Sequence, residues 1–322
     1  MSDPTRVAIA CQGGGSHTAF TAGVLKALLP RMDGEYELVG MSGTSGGAVS
    51  AVAAWDGLCT ESREGAGERL DAVWSAIAAS SLPERITNGW VQSWEALRNM
   101  GAPVPEISPY HTPIGRWGQR RLREVIETEL RLSACRAAMD GETPRLVIGA
   151  VDVNAGRFET FVNEAITADA ILASASVPTI FPAVEIDGHY YWDGLFSQNP
   201  PIHDLTYVPP ERKPEELWVI QINPQRRAEE PKSVEEIADR RNELSGNLSM
   251  NQELAFVEQV NRWIDAGHLP EERFERIAVR RIGIHRTLSY PSKLDRDPEF
   301  IEELMTAGER VGTEFLDGLR RA

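Results

Sequence analysis

The chain has 322 residues, 42% hydrophobic and 25% charged, which are ordinary proportions for a globular protein with a sizeable buried core. Its 33 basic and 48 acidic residues leave a formal charge of −15, which argues against a general nucleic-acid binder and against electrostatic adsorption to an anionic membrane. No segment approaches the roughly 20 apolar residues that span a bilayer. The basic doublets Arg226-Arg227, Arg240-Arg241 and Arg280-Arg281 read as solvated surface. The three cysteines, Cys11, Cys59 and Cys135, are widely spaced and form neither a metal-like pattern nor a disulfide framework. The segment Met1 to Arg6 shows no charged-then-apolar leader, so a cytoplasmic protein, at most peripheral to a membrane, is expected.

Val7 to Cys11 is a short apolar run bounded by Gly13-Gly14-Gly15, the signature of a buried strand. Ala19, Phe20, Gly23, Val24, Ala27 and Leu28 then recur at helical spacing. A second strand, Leu38 to Met41, leads into Ser42-Gly43-Thr44-Ser45-Gly46-Gly47, and Ala48 to Trp55 reads as a buried helix. Strand, helix, strand, helix implies a parallel sheet with helices packed on it. Residues 80–115, with Trp90, Trp94 and five prolines, read as an insert: a lid, a pocket wall, or a loop whose tryptophans cover the core. Arg116 to Leu130 reads as a charged surface helix. Arg145 to Val153 and Arg157 to Val162 read as strands around an Asn154-Ala155-Gly156 turn. A short helix at Thr167 to Ser174 and a hairpin at Val184 to Trp192, turning at Asp187-Gly188, follow. Leu217 to Ile222 and Ile277 to Ile282 read as strands, and Ser233 to Ala266 and Asp297 to Leu319 as long amphipathic helices. One domain, 1–322, with a core at about 6–205 and a completion at 206–322, is expected.

Gly43-x-Ser45-x-Gly47 fits a nucleophile elbow, in which a serine at a sharp strand-to-helix turn projects its hydroxyl and flanking glycines avoid clashes. A tight turn with a capping serine fits the pentapeptide equally well. Gly13-Gly14-Gly15, also between strand and helix, frees backbone N–H groups for an anion, either the oxyanion of a tetrahedral intermediate or a phosphate. Neither the phosphate-loop nor the dinucleotide pattern is completed here. In a parallel sheet the two glycine turns lie side by side, so a nucleophile on one and donors on the other face a single carbonyl.

Gly13-Gly14-Gly15 with Gly23-Val24-Leu25, then Gly43-Thr44-Ser45-Gly46-Gly47, then Trp192-Asp193-Gly194, resembles the patatin-like phospholipase family in order and spacing. The segment Ala173 to Pro182, before the Asp-Gly pair, is also similar. The resemblance implies a three-layer α/β/α fold with a mainly parallel central sheet and an acyl-ester hydrolase that uses a Ser-Asp dyad. Ser45 matches the nucleophile and Asp193 the base. Gly13, Gly14 and Gly15, with the Gly46 N–H, match the oxyanion hole, and Gly43, Gly47, Gly194 and His17 support the motifs. A lipid or other acyl-ester substrate is implied, with neither metal nor cofactor and no nucleic acid, and with room for a transient contact with a membrane surface. The sequence departs from the family at two places. His17-Thr18 stands where a basic residue and glycine are usual, so a weaker, pH-dependent positive field is expected at the loop. Leu195 stands where a small residue usually follows Asp-Gly.

Two other readings compete. A Ser-His-Asp esterase would draw its histidine from His203, His268 or His285, which follow Asp193 but lie in no motif; His111 and His189 carry no signal. A non-catalytic lipid- or acyl-binding protein would retain the pocket without reacting at Ser45.

Overall fold

The computed structural model describes residues 3–32, 34–99, 107–178, 180–270, 273–286 and 288–321. Five of the strands form a parallel array in the order β3-β2-β1-β7-β8: β1 (Thr5–Cys11), β2 (Tyr36–Thr44), β3 (Arg145–Asp152), β7 (Glu216–Gln221) and β8 (Ala278–Gly283). Three antiparallel strands complete the sheet: β4 (Arg157–Val162), β5 (Val184–Ile186) and β6 (His189–Asp193).

β1 runs through the middle of the sheet, and Val7 to Cys11 are wholly buried because both faces are covered. Val7, Ile9 and Cys11 face a cluster shared with α1 (Ala19–Leu28) and α2 (Gly46–Thr60). Ala8 and Ala10 face the other side, where α8 (His203–Thr206) and α9 (Val234–Asp265) pack through Leu205, Met250 and Leu254. This alternation makes the three-layer α/β/α architecture that the sequence implies. The first layer also holds α3 (Arg63–Ile77), α7 (Ala168–Ser174) and α10 (Pro298–Leu319). α4 (Leu82–Asn99), α5 (Pro113–Glu129) and α6 (Leu132–Ala138) flank it. The chain backbones of α1 and α10 approach closely: a Cβ added at Gly23 would lie 1.9 Å from the Met305 carbonyl oxygen, and one at Gly308 would lie 2.1 Å from that of Phe20.

β3 decides where the site forms. β4 occupies one edge of β3 from Val147 to Asp152, so β2 and β6 must share the other edge. There Gly149 pairs with Thr44 and its neighbour Ala150 pairs with Asp193. β6 therefore meets β2 end to end, and Asp193 arrives beside the turn that begins at Ser45.

Candidate active site

β1 and β2 pair with Cys11 opposite Gly43, so the turns that follow them emerge side by side. The approach is close enough to need glycine. A Cβ at Gly46 would lie 2.1 Å from Thr18 Oγ1 and 2.6 Å from the Gly15 carbonyl oxygen. Ser45, between Gly43 and Gly47, caps α2 with φ 57° and ψ −132°, a left-handed conformation that non-glycine residues rarely adopt. The conformation is held from outside: the Ser45 N–H donates to the Ser174 carbonyl oxygen at 3.1 Å and to Ser174 Oγ at 3.0 Å. Ser174 Oγ in turn donates to the Gly149 carbonyl at 2.7 Å.

The same segment also fixes the carboxylate, since the Asp193 N–H donates to the Ser176 carbonyl oxygen at 2.9 Å. Asp193 is completely buried. Its Oδ1 accepts from the Leu195 N–H at 2.8 Å, while Oδ2 has no partner of full hydrogen-bond geometry among the described residues. Burial raises the Asp193 pKa to about 7; the Ser45 hydroxyl, the Leu195 N–H and the charge of Lys293 each oppose that rise. Leu195, the unusual residue after Gly194, is buried against Gly246 of α9, where any added Cβ would lie 3.2 Å from its Cδ1.

The glycine loop differs from expectation at two residues. The Gly13 N–H already donates to Asn199 Oδ1 at 2.6 Å, which removes it from the donors available to a ligand. Gly14 and Gly15 open the 3-10 turn Gly15–Thr18, and Gly46 is the first residue of α2; N–H groups at such positions have no partner within their own helix. His17 is 2% exposed, and its Nε2 lies 2.8 Å from Ser292 Oγ. Burial, followed by the charges of Lys293 and Arg286, holds its pKa well below the ordinary imidazole range. The positive field expected from a partly protonated imidazole is therefore not available at this position. Thr18 replaces a glycine by donating its hydroxyl to the Gly15 carbonyl at 2.6 Å, which closes the turn.

Ser45, Gly15, Ser16 and Gly46 open on a cavity of about 240 Å³ walled by Trp74, Val91, Trp117, Leu122, Val125 and Phe181. α4 and the start of α5 contribute through Asn88, Val91 and Ile114. Trp90 and Trp94 do not cover the core: they are 63% and 37% exposed and stack on each other 5.8 Å apart. Part of the expected insert, residues 100–106, lies outside the described residues. His203, His268 and His285 are exposed, and no histidine lines the Ser45 cavity among the described residues. His189 binds Asp152, with Nδ1 to Oδ2 at 3.0 Å. No cluster of three or more His, Cys, Asp or Glu residues suited to a metal ion occurs among the described residues, and no described helix is long and apolar enough to cross a membrane.

Sequence reasoning passed over Lys293, Asn199 and Ser174. Lys293 lines the cavity from the turn Pro291–Leu294. No glycine pattern or periodicity marks it. Ser174 lies in the Ala173 to Pro182 stretch, so its neighbourhood carried a signal although its role did not.

The patatin-like phospholipase profile matches residues 9–206, and the chain belongs to that family. Among solved structures it is similar to VipD from Legionella pneumophila, with 14% identity, TM-score 0.44, and coverage of 98% of this chain and 67% of that one. It is also similar to the type III effector ExoU, with 15% identity, TM-score 0.36, and coverage of 98% of this chain and 54% of that one. The chain thus spans about two thirds of VipD and about half of ExoU. No curated protein gives a significant sequence match.

Proposed function

We propose that the chain hydrolyses acyl esters of lipids with Ser45 as nucleophile and Asp193 as the base, without a histidine. The observation that carries this reading is the juxtaposition of a strained serine, facing an apolar cavity, with a buried carboxylate whose pKa is raised to about 7. In the first half-reaction the Ser45 Oγ bonds to the ester carbon and its proton passes to Asp193. The N–H groups of Gly14, Gly15 and Gly46 receive the carbonyl oxygen as it gains charge. Asp193 then protonates the leaving alcohol as the ester C–O bond breaks. Water repeats the sequence on the acyl-enzyme, yielding the carboxylic acid and restoring both residues.

The lipid substrate reaches the cavity from a lipid surface. Leu82, Ile86, Trp90, Trp94 and Leu97 form an exposed apolar stripe on α4, and the opposite side of that helix walls the cavity through Thr87, Asn88 and Val91. A stripe continuous with the cavity rim suits insertion among acyl chains. The net charge of −15 selects an uncharged or zwitterionic surface over an anionic one.

The test is hydrolysis of a short acyl ester together with labelling by a fluorophosphonate. Ser45→Ala and Asp193→Asn are each expected to lose about 10³-fold or more in kcat. Wild type is expected to label at Ser45. A protein that folds but neither labels nor hydrolyses is a binding protein, and a loss in His203→Ala, His268→Ala or His285→Ala equal to that of Ser45→Ala would replace the dyad with a triad.

A further inference from the structure

Several partly buried cations of this chain face carboxylates. Arg69 and Arg131 converge on Asp56, and Arg227 and Arg240 on Glu243. Lys293 is different. Its Nζ donates to two neutral oxygens, Asn223 Oδ1 at 2.8 Å and Asn242 Oδ1 at 2.7 Å. No ion pair joins it to a carboxylate among the described residues. An ammonium held this way is not neutralised by direct pairing with a carboxylate, at a desolvation cost that a purely structural contact does not require.

The position of Lys293 gives that field a target. The turn Pro291–Leu294 backs the glycine loop so closely that a Cβ at Gly15 would lie 2.2 Å from the Lys293 carbonyl oxygen. His17 fastens the same turn through Ser292 Oγ at 2.8 Å. Lys293 also lines the cavity that holds Ser45, and its charge bears on Asp193. We propose that Lys293 is a positioning residue whose charge supplies the positive potential of the oxyanion loop and keeps Asp193 ionised. This rests on the Ser45–Asp193 reading. His17 and Lys293 thereby act in concert, the imidazole tethering the turn and the ammonium carrying the charge.

The groups facing Lys293 support this. Burial lowers its pKa to about 8, opposed by Glu243, Asp239 and Asp193. Glu243 is held by Arg227 and Arg240, and Glu84, on α4 behind the turn, by Arg121. His17 is neutral, Arg286 adds a like charge to the imidazole, and the Tyr290 ring lies 5.9 Å from Nζ. The charge therefore persists at neutral pH and is lost in mildly alkaline solution.

The experiment compares wild type, Lys293→Met, Lys293→Arg and Asn242→Asp on a short acyl ester across a wide pH range. In Lys293→Met, kcat is expected to fall roughly 10- to 100-fold with little change in KM. Its acid limb should move to higher pH, because Asp193 has lost a cation, and the alkaline fall near pH 8 should vanish. Lys293→Arg should restore most of kcat. Asn242→Asp keeps the lysine but pairs it, and should lower kcat while moving the alkaline fall upward. Wild-type kcat in Lys293→Met or in Asn242→Asp overturns the proposal, as does lost activity with both limbs unmoved. If Lys293→Met does not fold, Asn242→Asp decides alone. Absence of fluorophosphonate labelling in wild type sinks the Ser45–Asp193 reading itself; a labelled, active wild type with indifferent variants sinks only the role of Lys293.

Discussion

A carboxylate that takes a proton from serine must be ionised at rest yet basic enough to compete for that proton. In the proposed dyad, the surroundings of Asp193 would reconcile the two demands. Full burial raises its pKa to about 7, and the Ser45 hydroxyl, the Leu195 N–H and Lys293 keep it from rising further. The expected consequence is a kcat/KM that climbs about tenfold per pH unit below 7 and falls again near pH 8 as Lys293 loses its charge. A pH–rate profile on a soluble ester measures this; a rise centred near pH 4 would mean that the carboxylate titrates at its ordinary value, and a rate unaffected by pH from 4 to 7 would mean that Asp193 is not the base. At this scale the strained turn at Ser45 and the close backbone approach at Gly46 were legible, because such geometry demands particular residues at fixed spacing. Gly13 was misread because its donor is claimed by Asn199, a partner from a distant segment. Lys293 was illegible for the same reason: its proposed role depends on the approach of its turn to Gly15, and nothing in the local sequence announces that contact.

At the scale of elements, α4 is the informative case. Its apolar residues at 82, 86, 90, 94 and 97 follow a helical repeat, but the repeat faces solvent, so the usual inference from periodicity to core fails. Reading 80–115 as a lid, a pocket wall or a loop assigned no helix to 82–99, although that helix does wall the cavity. The strands and the helices α9 and α10, by contrast, were legible to within a few residues, because their apolar positions do face the core. For α4 the prediction is a separation of two activities. The double variant Trp90→Ser, Trp94→Ser should lose most binding to phosphatidylcholine vesicles, and roughly tenfold in vesicle hydrolysis, since each tryptophan contributes about 1 kcal/mol or more to insertion. Its turnover of a soluble short-chain ester should stay within about twofold. Equal vesicle sedimentation by both proteins would show that the stripe serves another partner, and a concentration-dependent dimer lost in the variant would identify that partner as a second copy.

For the whole molecule, the buried Asp193 carboxylate has a thermodynamic cost. The pKa of Asp193 in the fold, about 7, exceeds its ordinary value of 3.8, so the native state binds this proton more tightly than the unfolded chain does. Its contribution therefore becomes less favourable as pH rises from about 4 to 7, and the full penalty, on the order of a few kcal/mol, persists above 7. Asp193→Asn removes the charge and should melt several degrees higher than wild type at pH 8, with little difference at pH 4.5. Thermal unfolding at the two values checks this, and an Asn variant less stable at pH 8 would mean that the carboxylate is well solvated or paired. A parallel sheet with helices packed on it was readable from alternating strand and helix signals, and the three-layer plan followed from the family resemblance. The end-to-end meeting of β6 with β2 was not, because strand order depends on which edges remain open after β4 has paired with β3.

The close seat of α10 on α1, through Gly23 and Gly308, has a consequence for biosynthesis. Ser45 and Asp193 leave the ribosome before the turn that backs Gly15 and the helix that clamps α1, which come with residues 291–319. A nascent chain halted at residue 290 holds the serine and the aspartate but lacks the support on which the glycine loop rests. Under the proposed function, a purified fragment 1–290 is expected to hydrolyse no soluble acyl ester, and full activity in that fragment would show that the loop stands without this support.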